Sequence, residues 1–152
     1  MKKIFLFIAS AALAVSMTSC SSDDNSDNGG APGGTITAKI NGVSKTFDKV
    51  VVEQETINDN GETYTELYVT GIIGNSTAEI ITFTIDAGDV GADAVWEFDY
   101  SSGNTFYRSG SMSSVVQVNS DNRLKGNFSG TMTNFGTEET VTFADGSFDI
   151  TY

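Results

Sequence analysis

Asp86, Asp89 and Asp93 fall within eight residues, around a loop Ala87–Ala94 that carries Gly88 and Gly91. Hard oxygen donors at that spacing are calcium chemistry, with glycines free to curl backbone carbonyls toward an ion. A solvated acidic loop is the competing reading, and these three acids are weak calcium candidates. Asp24-Asn25-Ser26-Asp27-Asn28-Gly29 follows the opening of an EF-hand loop, but position twelve is Thr35 where a bidentate Glu belongs. Two carboxylate pairs, Glu97 with Asp99 and Glu138 with Glu139, have the residue types that glycoside hydrolysis needs. The first pair falls on an outer strand face and the second in a turn-like stretch. Neither is expected in the apolar pocket that would raise one pKa.

Other chemistry is excluded by what the chain lacks. It has 152 residues and no His, which removes the commonest general base and metal ligand. Ser129 in Gly126-Asn127-Phe128-Ser129-Gly130 stands one place late for Gly-x-Ser-x-Gly and has no imidazole to activate it. Ser120-Asp121-Asn122 matches one motif of penicillin-binding enzymes, yet no Ser-x-x-Lys occurs and Lys45-Thr46-Phe47 lacks the final Gly of Lys-Thr-Gly. The single Cys excludes an internal disulfide and a Cys-based zinc site. No catalytic residue and no cofactor is expected. A net charge of −12 makes a nucleic-acid backbone an unsuitable partner.

The aromatic set Trp96, Phe98, Tyr100, Phe106 and Tyr107 remains. Aromatic platforms bind sugars and apolar ligands, and Trp and Tyr are favoured at interfaces. Strand parity puts Trp96, Phe98, Tyr100 and Tyr107 inward, as core. Phe106 falls outward beside Asp99 and is the candidate contact residue.

The elements that must position these residues are strands. From Thr35 to Tyr152 the chain alternates apolar and polar residues between turn signals, with no helical period over eleven residues or more. Asn41-Gly42 predicts a type I′ turn that pairs Ile40 with Val43 and Ile36 with Phe47. Asp145-Gly146 predicts a second tight turn, pairing Phe143 with Phe148 and Val141 with Ile150; one continuous strand with a glycine bulge is the competitor. Val95–Tyr100 and Thr105–Ser109, joined by Ser101-Ser102-Gly103-Asn104, place Glu97 across from Arg108. Val115–Asn119 and Arg123–Gly130, joined by Ser120-Asp121-Asn122, set Val118 opposite Leu124 and carry the inward face through Gly126, Phe128, Gly130 and Met132. Val50–Glu55, Tyr64–Thr70 and Ile80–Asp86 supply the other strands, with Asn58-Asp59-Asn60-Gly61 as a turn. Nine or ten strands at this spacing predict an all-β fold, an antiparallel two-sheet sandwich. A closed or flattened meander barrel, lipocalin-like, is the alternative.

Ahead of the strands, Lys2 and Lys3 precede an apolar run Ile4–Val15, the layout of a secretory signal and too short for the roughly twenty residues of a membrane span. Met17-Thr18-Ser19-Cys20 resembles a bacterial lipoprotein signal, with Met17 and Ser19 where Leu and a small Gly or Ala are usual. That resemblance implies cleavage before Cys20 and its acylation. At about 0.8 kcal/mol per buried methylene, two or three chains would hold the protein at a membrane. Cleavage removes Lys2, Lys3 and no acid, taking the charge from −12 to −14. The chain therefore divides into a leader (1–19), a lipidated Cys with a flexible acidic tether (20–34) and one β domain (35–152). Ser21-Ser22-Asp23-Asp24 in the tether resembles the surface-export signal of Bacteroidota lipoproteins.

Ile40-Asn41-Gly42, Gly126-Asn127-Phe128-Ser129-Gly130 and Asp145-Gly146-Ser147-Phe148-Asp149-Ile150, together with the lipobox, resemble small Bacteroidota surface lipoproteins of unknown function. The resemblance implies an all-β body and surface exposure and carries no activity. The expectation is a non-enzymatic, outer-membrane lipoprotein that binds a glycan, peptide or protein. A lipocalin-like carrier of a small apolar ligand and a carboxylate-based hydrolase are its rivals.

Overall fold

The computed structural model describes residues 33–152; the leader, Cys20, the EF-hand-like run and the tether as far as residue 32 lie outside the described residues. Ten strands follow one another: β1 (Gly33–Ile40), β2 (Val43–Phe47), β3 (Lys49–Asp59), β4 (Glu62–Ile73) and β5 (Ser76–Asp86). The second half holds β6 (Gly91–Ala92), β7 (Val95–Ser102), β8 (Thr105–Ser120), β9 (Arg123–Thr133) and β10 (Thr140–Thr151). The first strand thus starts two residues before the expected Thr35. Every ladder is antiparallel, in the order β2-β1-β10-β9-β8-β7-β5-β4-β3, with β6 attached to β8.

The first hairpin forms as its turn chemistry demands. Asn41 (φ 48°) and Gly42 (φ 81°) both take positive φ, and Ile40 pairs with Val43 and Ile36 with Phe47. The expected hairpin at Asp145-Gly146 does not form. Those residues lie inside the continuous β10, where the register slips against β1 between Lys39 and Thr37 and against β9 between Phe143 and Gly146. Three steps along β10, Phe143 to Gly146, meet two along β9, Gly130 to Phe128, so one extra residue is bulged here, with Asp145 at φ 51°. A tight turn there would leave β1 and β9 without the partner both of them use. The β8–β9 turn is also shorter than expected. Asp121 and Asn122, both at positive φ, close a two-residue loop, so that Asn119 rather than Val118 faces Leu124. A second slip, between Val116 and Val118, absorbs the difference.

The edges β2 and β3 are consecutive in the chain, joined by Asp48, yet no ladder connects them among the described residues, so the sheet is not closed into a barrel. Its ends nevertheless meet. A side chain at Gly71 of β4 would stand 2.8 Å from Ile36 of β1 and 3.1 Å from Phe47 of β2. Inside, rings from β5 and β7 meet rings from β9 and β10: Phe83 on Phe148 (4.9 Å between centroids), Phe98 on Phe128 (5.5 Å), and Tyr100 edge-on to Phe143 (5.4 Å). Such pairs add about 0.5–1.5 kcal/mol each beyond their burial. One end is stitched by polar groups. Lys45 on β2 reaches Glu79 on β5 at 2.6 Å, and the Tyr100 hydroxyl donates to the other Glu79 oxygen at 3.1 Å. Burial pushes that phenol up to about 12.

Candidate functional site

The expectation that Trp96 belongs to the core is overturned by the pairing of β7 with β5. Phe98 pairs with Phe83 and Glu97 with Thr84, but Ile85 then pairs with Val95. Trp96 is the residue left over. One extra residue inverts the parity of everything before it, so Val95 and Phe98 are both buried while Trp96 is 53% exposed. No alternation count along β7 alone could find this, because the slip is fixed by β5.

The next hairpin differs from expectation by two residues of register and keeps its faces. Gly103 (φ 59°) and Asn104 close a two-residue turn, Ser102 pairs with Thr105, and Arg108 lies opposite Asp99, not Glu97. Phe106 does face outward, 48% exposed, opposite Ser101. The Arg108 guanidinium sits 5.5 Å above the Phe106 ring, and its Nε lies 3.5 Å from Asp99 Oδ1. With the Asp99–Arg108 pair the β7–β8 ladder ends; farther along, β8 pairs with β6.

At this fork a solvent-open cleft of about 300 Å³ is lined by Trp96, Glu97, Phe98, Asp99, Arg108 and Phe135. Phe135, 72% exposed, comes from the β9–β10 connection, which was not expected to contribute. Asn134 shapes that connection: its side-chain oxygen accepts the Gly136 and Thr137 N–H groups, and its backbone exchanges hydrogen bonds with Glu138 and Glu139. Since Thr133 pairs with Arg108, the turn sets Phe135 beside the fork. Glu138 and Glu139 themselves are exposed on this connection and do not line the cleft.

Glu97 and Asp99, expected on a plain solvated face, therefore line a cleft. Burial, followed by the Glu97 charge, pushes Asp99 above the usual carboxylate range, and Arg108 opposes them. Asp99 Oδ1 is buried with no hydrogen-bond partner, because Arg108 reaches it only as a charge. The cleft thus offers exposed ring faces, two acceptor groups and one donor fork. A larger open groove of about 610 Å³ crosses β8, β9 and β10, but it presents Ser113, Asn127, Ser129 and Ser147 and no exposed ring.

The acidic loop is organised around Asn119, a buried side chain that strand parity had not singled out. Its amide donates to the carbonyls of Asp86 (2.8 Å) and Asp89 (3.0 Å), and the Asp89 N–H also reaches the Asp86 carbonyl. The Asp93 carboxylate accepts the Ser114 N–H. Two backbone carbonyls of this region, those of Asp86 and Asp89, thus face a side-chain amide. Among the described residues no group of three or more His, Cys, Asp or Glu is arranged to hold a metal. Burial first, then Asp89 and Glu66, pushes Asp86 up, while the Trp96 indole opposes. Compared with protein-family models, curated proteins and solved structures, the chain matches none.

Proposed function

We propose that the chain is a non-enzymatic binding module, held at an outer-membrane surface by lipid on Cys20, which takes its ligand at the Trp96–Phe135 cleft. Its body is a two-layer sandwich; the ring contacts that join β5 and β7 to β9 and β10 support that layering. The observation that carries the reading is the bulge that turns the only Trp in the chain outward, beside Phe135 and the Asp99–Arg108 pair. An exposed Trp next to paired polar groups is the composition of a recognition surface. The lipocalin-like carrier would need space among Phe83, Phe98 and Phe128. Those rings lie 5.5–5.7 Å apart in sequence along the interior, and Trp96 is outside it.

The anchor is tested in cells that express the full chain, by metabolic labelling with an alkyne fatty acid and by protease shaving of intact cells. Wild type should take the label and be cut from whole cells, whereas Cys20→Ala should be unlabelled and released from the membrane fraction. A labelled Cys20→Ala chain removes the lipid reading, and a protease-resistant wild type removes the surface reading. Release of reducing ends from a bound oligosaccharide would remove the non-enzymatic one.

A further inference from the structure

This inference rests on the cleft being a binding site and concerns the class of ligand it takes: we propose a neutral glycan chain, held by ring stacking and by vicinal hydroxyls. A sugar ring has an apolar face of C–H groups and a rim of hydroxyls, each both donor and acceptor. Trp96 and Phe135, both exposed, line the cleft together with its polar groups and offer ring surface for stacking. Glu97 and Asp99, when ionised, only accept hydrogen bonds, and Arg108 only donates them. A ligand satisfying both must carry donors and acceptors on neighbouring atoms, as a vicinal diol does.

Asp99 lines the cleft and its Oδ1 has no donor within the fold, so this carboxylate keeps unused acceptor capacity at the cleft wall. Charge narrows the class further. Two acids and one base leave the cleft negative, on a chain of net charge −12, so acidic sugars are repelled. Arg108 already lies over the Phe106 ring and faces Asp99, so Glu97 is the one cleft carboxylate left without a cation for a lysine-rich peptide. The open shape suits one ring of a longer chain rather than an enclosed small molecule.

Trp96 is the only Trp in the chain, so its fluorescence reports this cleft alone. The mature chain would be titrated with cellohexaose, maltohexaose, mannohexaose and xylohexaose, with an oligogalacturonate, and with hexalysine. At least one neutral hexasaccharide should perturb Trp96 emission saturably. Asp99→Asn and Phe135→Ala should each weaken that binding about tenfold, the scale of one lost hydrogen bond to a charged group or one stacking contact. Phe135 is on an exposed connection, and an unchanged circular dichroism spectrum will show that the fold survives its loss. Saturable response to hexalysine or oligogalacturonate alone, abolished by Phe135→Ala, overturns the neutral-glycan class and leaves the cleft a binding site. Silence of Trp96 toward every probe overturns both.

Discussion

Among the described residues four carboxyl groups are shifted, two up and two down, and the causes are local. Asp86 and Asp99 are pushed up, chiefly by burial. Asp48 is held down first by the Gly74 N–H and Asp149 first by Arg123. The two classes have opposite linkage. A raised carboxyl binds its proton more tightly in the folded state, so its contribution is fully present below the unfolded value and is lost as pH rises through the folded one. A depressed carboxyl contributes above the unfolded value and loses that contribution as pH falls through the folded one. Asp86→Asn removes a charge that faces Asp89 and Glu66 while keeping the side-chain shape. We expect the variant to be more stable than wild type at pH 7, by about 0.5 kcal/mol or less. The gap should close as pH falls toward the ordinary Asp value near 3.9. Urea melts at the two pH values decide it; a gap that does not change between them would remove burial of this charge as the cause.

At the scale of elements, most of the shape comes from slips between paired strands. β8, β9 and β10 slip at Ser109/Ser111, Val116/Val118 and Phe143/Gly146, and each slip re-aims the side chains beyond it. Gly126 sits between two of these slipped ladders, paired with Val116 on one side and Phe148 on the other. A Cβ there would stand 2.5 Å from the Phe148 ring and 2.6 Å from the Val115 carbonyl oxygen. The ring is locked in the core and the carbonyl is backbone, so neither can retreat cheaply. Gly126→Ala should therefore destabilise the fold by about 1–3 kcal/mol, the usual penalty for overpacking. Equilibrium denaturation measures it, and a midpoint equal to that of wild type would mean the strands have more freedom than their packing implies.

At the scale of the molecule, the first and last strands depend on each other. β1 pairs with β10, and Thr37 meets Ser147 across 110 residues. β9 uses the opposite edge of the same strand, and β10 brings Phe143 and Phe148 into the core. A chain ended at Glu139 would leave β1 and β9 each with an unpaired edge and remove two of the largest buried rings. Such a truncation should abolish cooperative folding, seen as loss of the strand signal in circular dichroism and rapid cleavage by protease. A sharp urea transition in the truncated chain would contradict this interdependence. Dominance of long-range pairing also places refolding of the intact chain in the millisecond-to-second range rather than the microsecond range.

What the sequence determined by itself was local. Asn41-Gly42 specified its turn and, with the alternation on either side, the register of Ile36 with Phe47, because both signals lie within a dozen residues. Phe106 was legible as outward for the same reason: its hairpin keeps strict alternation between turn and ladder end. Asp145-Gly146 fits a tight turn as well as a bulge, and only the presence of β1 and β9 on either side of β10 chose between them. Trp96 was misplaced because its exposure is set by where β5 slips, and Phe135 was missed because a connection has no parity to count. Turn dihedrals and alternation act between near neighbours and are written along the chain. Bulges, sheet forks and the cleft they open come from fitting distant strands together, and only the tertiary structure decides them.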